Sequence, residues 1–336
     1  MRIVINNYFW GVLKRGIPIY TSELVKQLKK ENFEVIELTC PKFLRRMPNI
    51  IHNILFVIYE QLITPFVGGV ISSKINIYPY NSASIVDILA NKSLVIIHDL
   101  ISLKQVNKSL SSRYVSFCIL YASRHGSRFS FISKSTSRLI KRLRLFQRSK
   151  SYHFPNTFFS FEEIAKKTKS DNGQFILLVS GHGDNKDLVG ALRLFSTLPS
   201  DLQIPLKILG LGRNINFAKQ VLKNYPDLKK VEVVGSVSLE EVVSLYANCS
   251  FVWAHSKAEG YGRAVAEAKL INKNVLCSNI DPFLEQKSNN TFFYNDDMTF
   301  NIAVRRCFTH KNDQTDCELL EHKLIKDELC RLYEEK

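Results

Sequence analysis

The sequence predicts an α/β protein of two Rossmann-like domains in succession, their parallel sheets facing a central cleft. Three observations lead there. At 336 residues the chain exceeds the ~100–200 residues of one domain. It opens with strand, helix and strand, the pattern of a βαβ unit. Its second half again alternates short β-branched runs with helical segments.

The elements follow in order. "RIVIN" (2–6) is a strand, and after a loop "IPIYTSELVKQLKKEN" places Ile17, Tyr20, Leu24 and Leu28 at helical spacing. "FEVIELT", "KINIYPYN" and "KSLVIIHDL" read as further strands, and "RFSFISKS" as another leading into a basic helix. The polar segment "EEIAKKTKSDNGQ" (162–174) suits a linker. Beyond it come the strands "FILLVSG", "LKILGLG", "VEVVGSV", "SFVWAHS" and "NVLCSN", and Ser238 and Glu241 stand as a capping box at one helix start. The implied domains are 1–160 and 170–310, with a C-terminal helix over 311–336 packing back toward the first.

Composition narrows the classes. Hydrophobic residues at 45% and 35 Phe and Tyr together exclude a disordered chain. Seven scattered cysteines (40, 118, 249, 277, 307, 317, 330) without CxxC spacing argue against a disulfide framework and a zinc site, and for a reduced cytosolic setting. "MRIVINNYFW" lacks the pattern of a secretory signal. The most apolar stretch, 49–71, carries His52, Glu60 and Pro65 and reads as a helix and loop more than as a membrane span. Residues 1–160 carry 23 Lys/Arg against 7 Asp/Glu, and residues 161–336 carry 23 against 24, so the basic excess lies wholly in the first half. Runs such as 138–150 suit nucleic acid, anionic lipid headgroups, a phosphorylated acceptor or simply a solvated face.

The richest stretch is "AHSKAEGYGRAVAEAKL" (254–270). It follows a strand, so its loop leaves the carboxyl end of the sheet, where open α/β sheets bind ligands. Gly260 and Gly262 allow backbone N–H groups to approach a ligand, and the helix they introduce offers its positive end to phosphate. Glu267, about one and a half turns into that helix, can accept hydrogen bonds from vicinal hydroxyls, and Glu259 can do so for another part of the same ligand.

The stretch resembles the signature of the retaining GT-B glycosyltransferases of family 4 (glycosyl transferases group 1), including bacterial surface-polysaccharide enzymes. Glu259 and Glu267 match its Glu-x7-Glu spacing. "VVGSVSLEEVVSLYANCSFVWAHS", "LLVSGHGDNKDLVGAL", "FPNTFF" and "VIIHDL" resemble further family segments and cover most of 90–280 in the expected order. The resemblance implies a GT-B fold with an N-terminal acceptor domain and a C-terminal nucleotide-sugar domain. It implies that Glu267 binds ribose hydroxyls and that Glu259 with the Gly260, Tyr261 and Gly262 segment holds the transferred sugar. By the same resemblance Lys186 neutralises the diphosphate, His98 approaches the sugar, and Gly16 belongs to a loop closing over phosphate or acceptor. An arginine common after the strand before Lys186 is replaced by His182, so His182 or Arg263 shares the diphosphate charge. Asp99 reads as a cap and not a base.

The expectation is therefore a metal-independent, cofactor-free hexosyltransferase using a nucleotide diphosphate sugar. Its acceptor is a lipid-linked glycan of O-antigen, capsule or lipopolysaccharide synthesis, met at the cytoplasmic face of the plasma membrane. Arg142, Arg144 and Arg148 would touch anionic membrane or acceptor, and nucleic acid is not an expected partner. Two other readings remain open at this point: a GT-B-like sugar-nucleotide epimerase or non-catalytic sugar-binding subunit, and a basic nucleic-acid-binding protein.

Overall fold

A computed structural model describes residues 2–13, 16–105, 108–169, 173–212, 214–311 and 321–334. They form two compact units, one of residues up to 157 with the helix Glu321–Glu334, the other of 158–311. Each is built on a parallel sheet. In the first unit the strands are β1 (Arg2–Asn6), β2 (Glu34–Leu38), β3 (Ile75–Tyr78), β4 (Ser93–Ile97), β5 (Arg128–Phe131) and β6 (Ser151–His153), in the order β2-β1-β3-β4-β5-β6. In the second they are β7 (Ile176–Val179), β8 (Leu206–Leu209), β9 (Val231–Val233), β10 (Phe251–Ala254), β11 (Val275–Ser278) and β12 (Thr291–Tyr294), ordered β12-β11-β10-β7-β8-β9.

The central strands are buried on both faces, which is why they read as continuous apolar runs and not as alternation. All residues of β4 and β10 are buried. Trp253, Phe251, Ile208 and Phe300 anchor one core of the second unit, and Tyr78, Val95, Ile97 and Phe129 one of the first. Ser238 accepts Glu241 N–H at 3.2 Å while Glu241 accepts Ser238 N–H at 2.8 Å, completing the capping box read from sequence. The helix Glu321–Glu334 packs beside β6, with Arg331 over the Tyr152 ring and Lys326 3.4 Å from Glu31. The six described cysteines are unpaired; Cys317 lies outside the described residues.

Four expectations need correction. The segment 162–174 is not a linker at its start: Glu162 to Ala165 complete the helix Phe159–Ala165, which Phe161 fixes edge-on to Tyr246; residues 170–172 lie outside the described residues. The basic run does not continue as a helix, because the helix Lys134–Arg142 ends at Arg142. Arg144 and Phe146 take left-handed φ of 53° and 54°, and buried Phe146 stacks on Phe129. Arg144 and Arg148 are therefore turn residues, exposed like Arg142. "SYH" and "TFFY", given no strand by pattern, form the edge strands β6 and β12, held by the registers of β5 and β11.

The fourth correction concerns the apolar stretch, which is one helix, Asn49–Val70, with no loop. Its middle, Tyr59–Ile63, is a π-helical turn, and Thr64 N–H reaches back to Tyr59 O. Pro65 follows at the start of the next α-helical stretch, Thr64–Val70, so its missing N–H falls at the junction between two bonding patterns and does not break the helix.

The π turn buries Glu60. Tyr114 donates to its Oε1 at 2.6 Å and Ser82 to its Oε2 at 2.8 Å, while Gln61 donates to the Tyr114 oxygen at 2.7 Å. Burial pushes the carboxyl up from 4.5 to about 7, against the pull of those donated bonds. Between these two values the folded chain keeps a proton that the unfolded chain has released, so stability is highest at the acid side of the window, falls as pH rises and levels off above about 7. The expected loss is on the order of 3 kcal/mol. Glu60→Gln should flatten this dependence in urea unfolding measured across that window; an unchanged slope would assign it to another group.

Candidate functional site

In the second sheet the chain runs from β7 through β8 to β9 and then returns to place β10 beside β7. The loops after β7 and β10 leave the sheet at this reversal of strand order, where open α/β sheets form their ligand crevice. Those loops carry Lys186 and Glu259.

Backbone and side-chain bonds tie the two loops together. Lys257 N–H donates to Asn185 O at 2.7 Å, and the Asn185 amide donates to Ala258 O at 3.1 Å. The Lys186 ammonium pairs with the Glu259 carboxylate, which also accepts Ser256 O–H at 2.8 Å. The two side chains are 33% and 15% exposed, so the pair is partly desolvated yet open to an incoming group. Just beyond, Asp187 takes a left-handed φ of 43°, caps the helix Leu188–Ser196 by accepting Gly190 N–H, and pairs with Lys257 at 2.9 Å. Burial would raise the Asp187 carboxyl, but its bonds to Lys257 and His255 bring it below the usual range.

Asp187, His255 and Lys257 are site neighbours that sequence reasoning missed. Trp253 Nε1–H donates to the Tyr294 hydroxyl oxygen at 2.9 Å, which leaves the Tyr294 hydroxyl proton for His255 Nδ1 at 2.5 Å and turns His255 Nε2 toward Asp187, 3.4 Å away. Burial lowers the His255 pKa against the opposing pull of Asp187. A cavity of about 290 Å³ opens here at the ends of β10, β11 and β12, lined by Asp187, Arg193, His255, Tyr294 and Asp297 among others. The sequence signal was the position of His255 at a strand end and of Asp187 directly after Lys186.

Glu267 lies in the helix Arg263–Leu270. Tyr246 donates to its Oε2 at 2.8 Å, and Arg263 holds its Oε1 at 3.1 Å. Arg263 also stacks over the Phe158 ring, 4.4 Å from its centroid. Arg263 is thus engaged by Glu267 and Phe158, while His182 is exposed, its Nδ1 accepting from Asn214 at 3.0 Å. Gly262 is the left-handed residue before this helix, with φ 88° and ψ 56°. A Cβ there would meet the Phe283 ring at 2.5 Å, so the obstacle to a side chain is the protein's own packing as well as strain. Tyr261 is buried near Phe158, its carbonyl accepting from Gln286 at 2.5 Å, and Gly260 is half-buried.

The first-unit residues form their own setting. His98 follows β4 directly, buried, with its backbone N–H donating to Asn81 Oδ1 at 2.6 Å and its ring edge-on to Tyr20 at 4.7 Å. Asp99 Oδ1 accepts Ile101 N–H at 2.9 Å, a capping bond. Gly16 takes φ 62° before the helix Ile17–Lys30 with open space where a Cβ would stand. Lys14 and Arg15 of the same loop lie outside the described residues.

Residues 160–311 match the family model described as glycosyl transferases group 1. The chain is a transferase enzyme. Among solved structures, it resembles a sucrose-phosphate synthase from Thermosynechococcus elongatus at 12% identity, covering 99% of this chain and 98% of that one, TM-score 0.69. It also resembles WaaG, a glycosyltransferase involved in lipopolysaccharide biosynthesis, at 12% identity, covering 98% and 99%, TM-score 0.66. HepE from Anabaena, in complex with UDP and glucose, aligns at 13% identity over 99% and 94%, TM-score 0.60. These likenesses establish the GT-B fold. Together with the family match they support a role in glycosyl transfer. No curated protein matches the chain in sequence.

Gly262→Val should destabilise the second unit by roughly 2 kcal/mol or more, because a β-branched side chain is strained at positive φ and strikes Phe283. Ala264→Ser, two residues on in the same helix, should cost no more than about 0.5 kcal/mol. Denaturant unfolding followed by Trp253 fluorescence compares them, and equal midpoints would contradict the packing described.

Proposed function

We propose that the protein is a retaining hexosyltransferase that takes its sugar from a nucleotide diphosphate donor and passes it to a lipid-linked glycan of O-antigen, capsule or lipopolysaccharide synthesis. The observation that carries this reading is the convergence of Lys186 and Glu259 at the switch point, beside the helix that bears Glu267. Support for the donor class comes from HepE, whose structures hold UDP and UDP-glucose.

The chemistry follows from the charges. Departure of the nucleoside diphosphate leaves negative charge on its oxygens, and Lys186 would stabilise it by exchanging Glu259 for the diphosphate as its anionic partner. His182, exposed after β7, supplies a second polar contact in place of an arginine. Glu259, released from Lys186, accepts hydrogen bonds from the sugar with the Gly260 to Gly262 backbone beside it. Glu267, oriented by Tyr246 and Arg263, accepts from the ribose hydroxyls. His98 is assigned to the sugar and Gly16 to the phosphate or acceptor. No metal or cofactor is assigned a part in this scheme. The basic first half, with Arg142, Arg144 and Arg148, favours a peripheral position at the anionic inner face of the plasma membrane.

A thermal-shift screen of UDP-, GDP- and dTDP-sugars should show stabilisation by one base class. For that donor Glu267→Ala should weaken binding by at least about tenfold, since a charge-assisted bond contributes ~1.5–3 kcal/mol. Glu259→Gln should lower turnover more than donor affinity if its bonds strengthen as the sugar departs. Wild-type affinity in the folded Glu267→Ala variant would contradict the ribose assignment, and isomerisation of the sugar nucleotide without acceptor would replace transfer by epimerisation.

A further inference from the structure

The helix Asn49–Val70 carries apolar side chains every four residues, Ile50, Ile54, Ile58, Leu62, Phe66 and Val70, and all six are 39–71% exposed. An α-helix overshoots a full turn by about 40° at each such step, so over this length a regular helix would wind the row around to its buried side. The π turn at Tyr59–Ile63 takes an extra residue per turn and returns part of that drift. The irregularity thus keeps the second half of the row on the same side as the first. Solvated helices show polar residues on such a face, and a row this long on a soluble protein marks an interaction surface.

The opposite face is fixed within the first unit. His52 Nδ1 meets the buried Tyr8 hydroxyl at 3.1 Å, Glu60 is held by Tyr114 and Ser82, and Gly68 lies so close to Asn76 of β3 that a Cβ has no room. By length and apolar character the helix could cross a membrane. Crossing would strip out these contacts and carry a carboxyl into lipid, so the helix can only lie flat. Its surroundings say on what. From Asn49 to Val70 it has no Lys, Arg or Asp, and its single Glu is buried. Exposed Lys42, Arg46 and Phe43 precede it, and the first half of the chain holds the whole basic excess. An apolar row with cations at its end and no exposed acid complements an anionic bilayer.

We infer that this row docks the first unit onto an anionic lipid surface, the helix lying in the plane of the headgroup–acyl boundary with Lys42 and Arg46 at the phosphates. The inference rests on the peripheral membrane position proposed above and gives it a specific surface, distinct from Arg142, Arg144 and Arg148. Apolar insertion makes the attachment only partly sensitive to salt, unlike a contact made by charge alone.

The test uses the full chain with vesicles of phosphatidylcholine alone and of phosphatidylcholine mixed with phosphatidylglycerol. Ile54→Asp/Leu62→Asp should lower co-sedimentation with the mixed vesicles by about tenfold or more, and Leu62→Trp should show a blue shift and gain in emission on adding them. The circular dichroism spectrum and the nucleotide-sugar thermal shift serve as controls, so loss of membrane binding is separable from failure of the donor assignment. If the double variant misfolds, Leu62→Trp alone decides. The inference is overturned if Leu62→Trp emission does not respond to vesicles, or if vesicle binding survives the double variant and is lost only in Arg142→Gln/Arg144→Gln/Arg148→Gln. It is equally overturned if the double variant converts a dimer to a monomer in sedimentation velocity while vesicle binding is unchanged.

Discussion

The ion pair between Lys186 and Glu259 is the interaction on which the functional half of this protein turns. It joins residues 73 positions apart and closes the end of a seam begun by the backbone bond from Lys257 to Asn185. The bond from the Asn185 amide to Ala258 O and the pair of Asp187 with Lys257 run along the same seam. A partly buried pair of opposite charges is stable only while both members remain paired or solvated. That condition suits the proposed exchange, in which a donor diphosphate would replace the carboxylate at Lys186 and free Glu259 for the hydroxyls of the sugar.

The sheet makes this pairing available. Because β10 returns beside β7 after the excursion through β8 and β9, the two loops start from adjacent strands. The parallel strands in turn require helices on both faces, and the helix Arg263–Leu270 is the one that brings Glu267 toward the same end. Gly262 sets its start. The left-handed turn at that residue, packed against Phe283, fixes where the helix begins and hence which way Glu267 points.

Much of this was legible in the sequence, and the divisions are physical. Central parallel strands announce themselves because burial on both faces leaves little choice but Val, Ile, Leu and aromatics; β4 and β10 are such strands. The edge strands β6 and β12 are short and owe their form to a neighbour's register, which no local pattern encodes. The spacing of Glu259 and Glu267 and the capping box at Ser238 are local, and so they were readable. The partners of those acids are not local: Tyr246 and Lys186 reach them through the fold, and Arg263, a candidate for phosphate by sequence, pairs with Glu267 and packs over the Phe158 ring. Pro65 was misread because proline normally ends a helix, whereas here it follows a π turn in which Glu60 is buried. The extent of the basic helix was not readable because basic residues are good helix formers, whereas the helix ends at Arg142 and the chain turns to bury Phe146.

The central claim is that the loops after β7 and β10 together form the donor site. Hydrogen–deuterium exchange of the full chain, with and without the nucleotide sugar that stabilises it, tests this most directly. The account predicts that protection on donor addition concentrates in the loop after β7 through Asp187, in the loop from His255 to Gly262 and in the start of the helix Arg263–Leu270. Protection confined to other segments, with these loops unchanged at saturating donor, would contradict it.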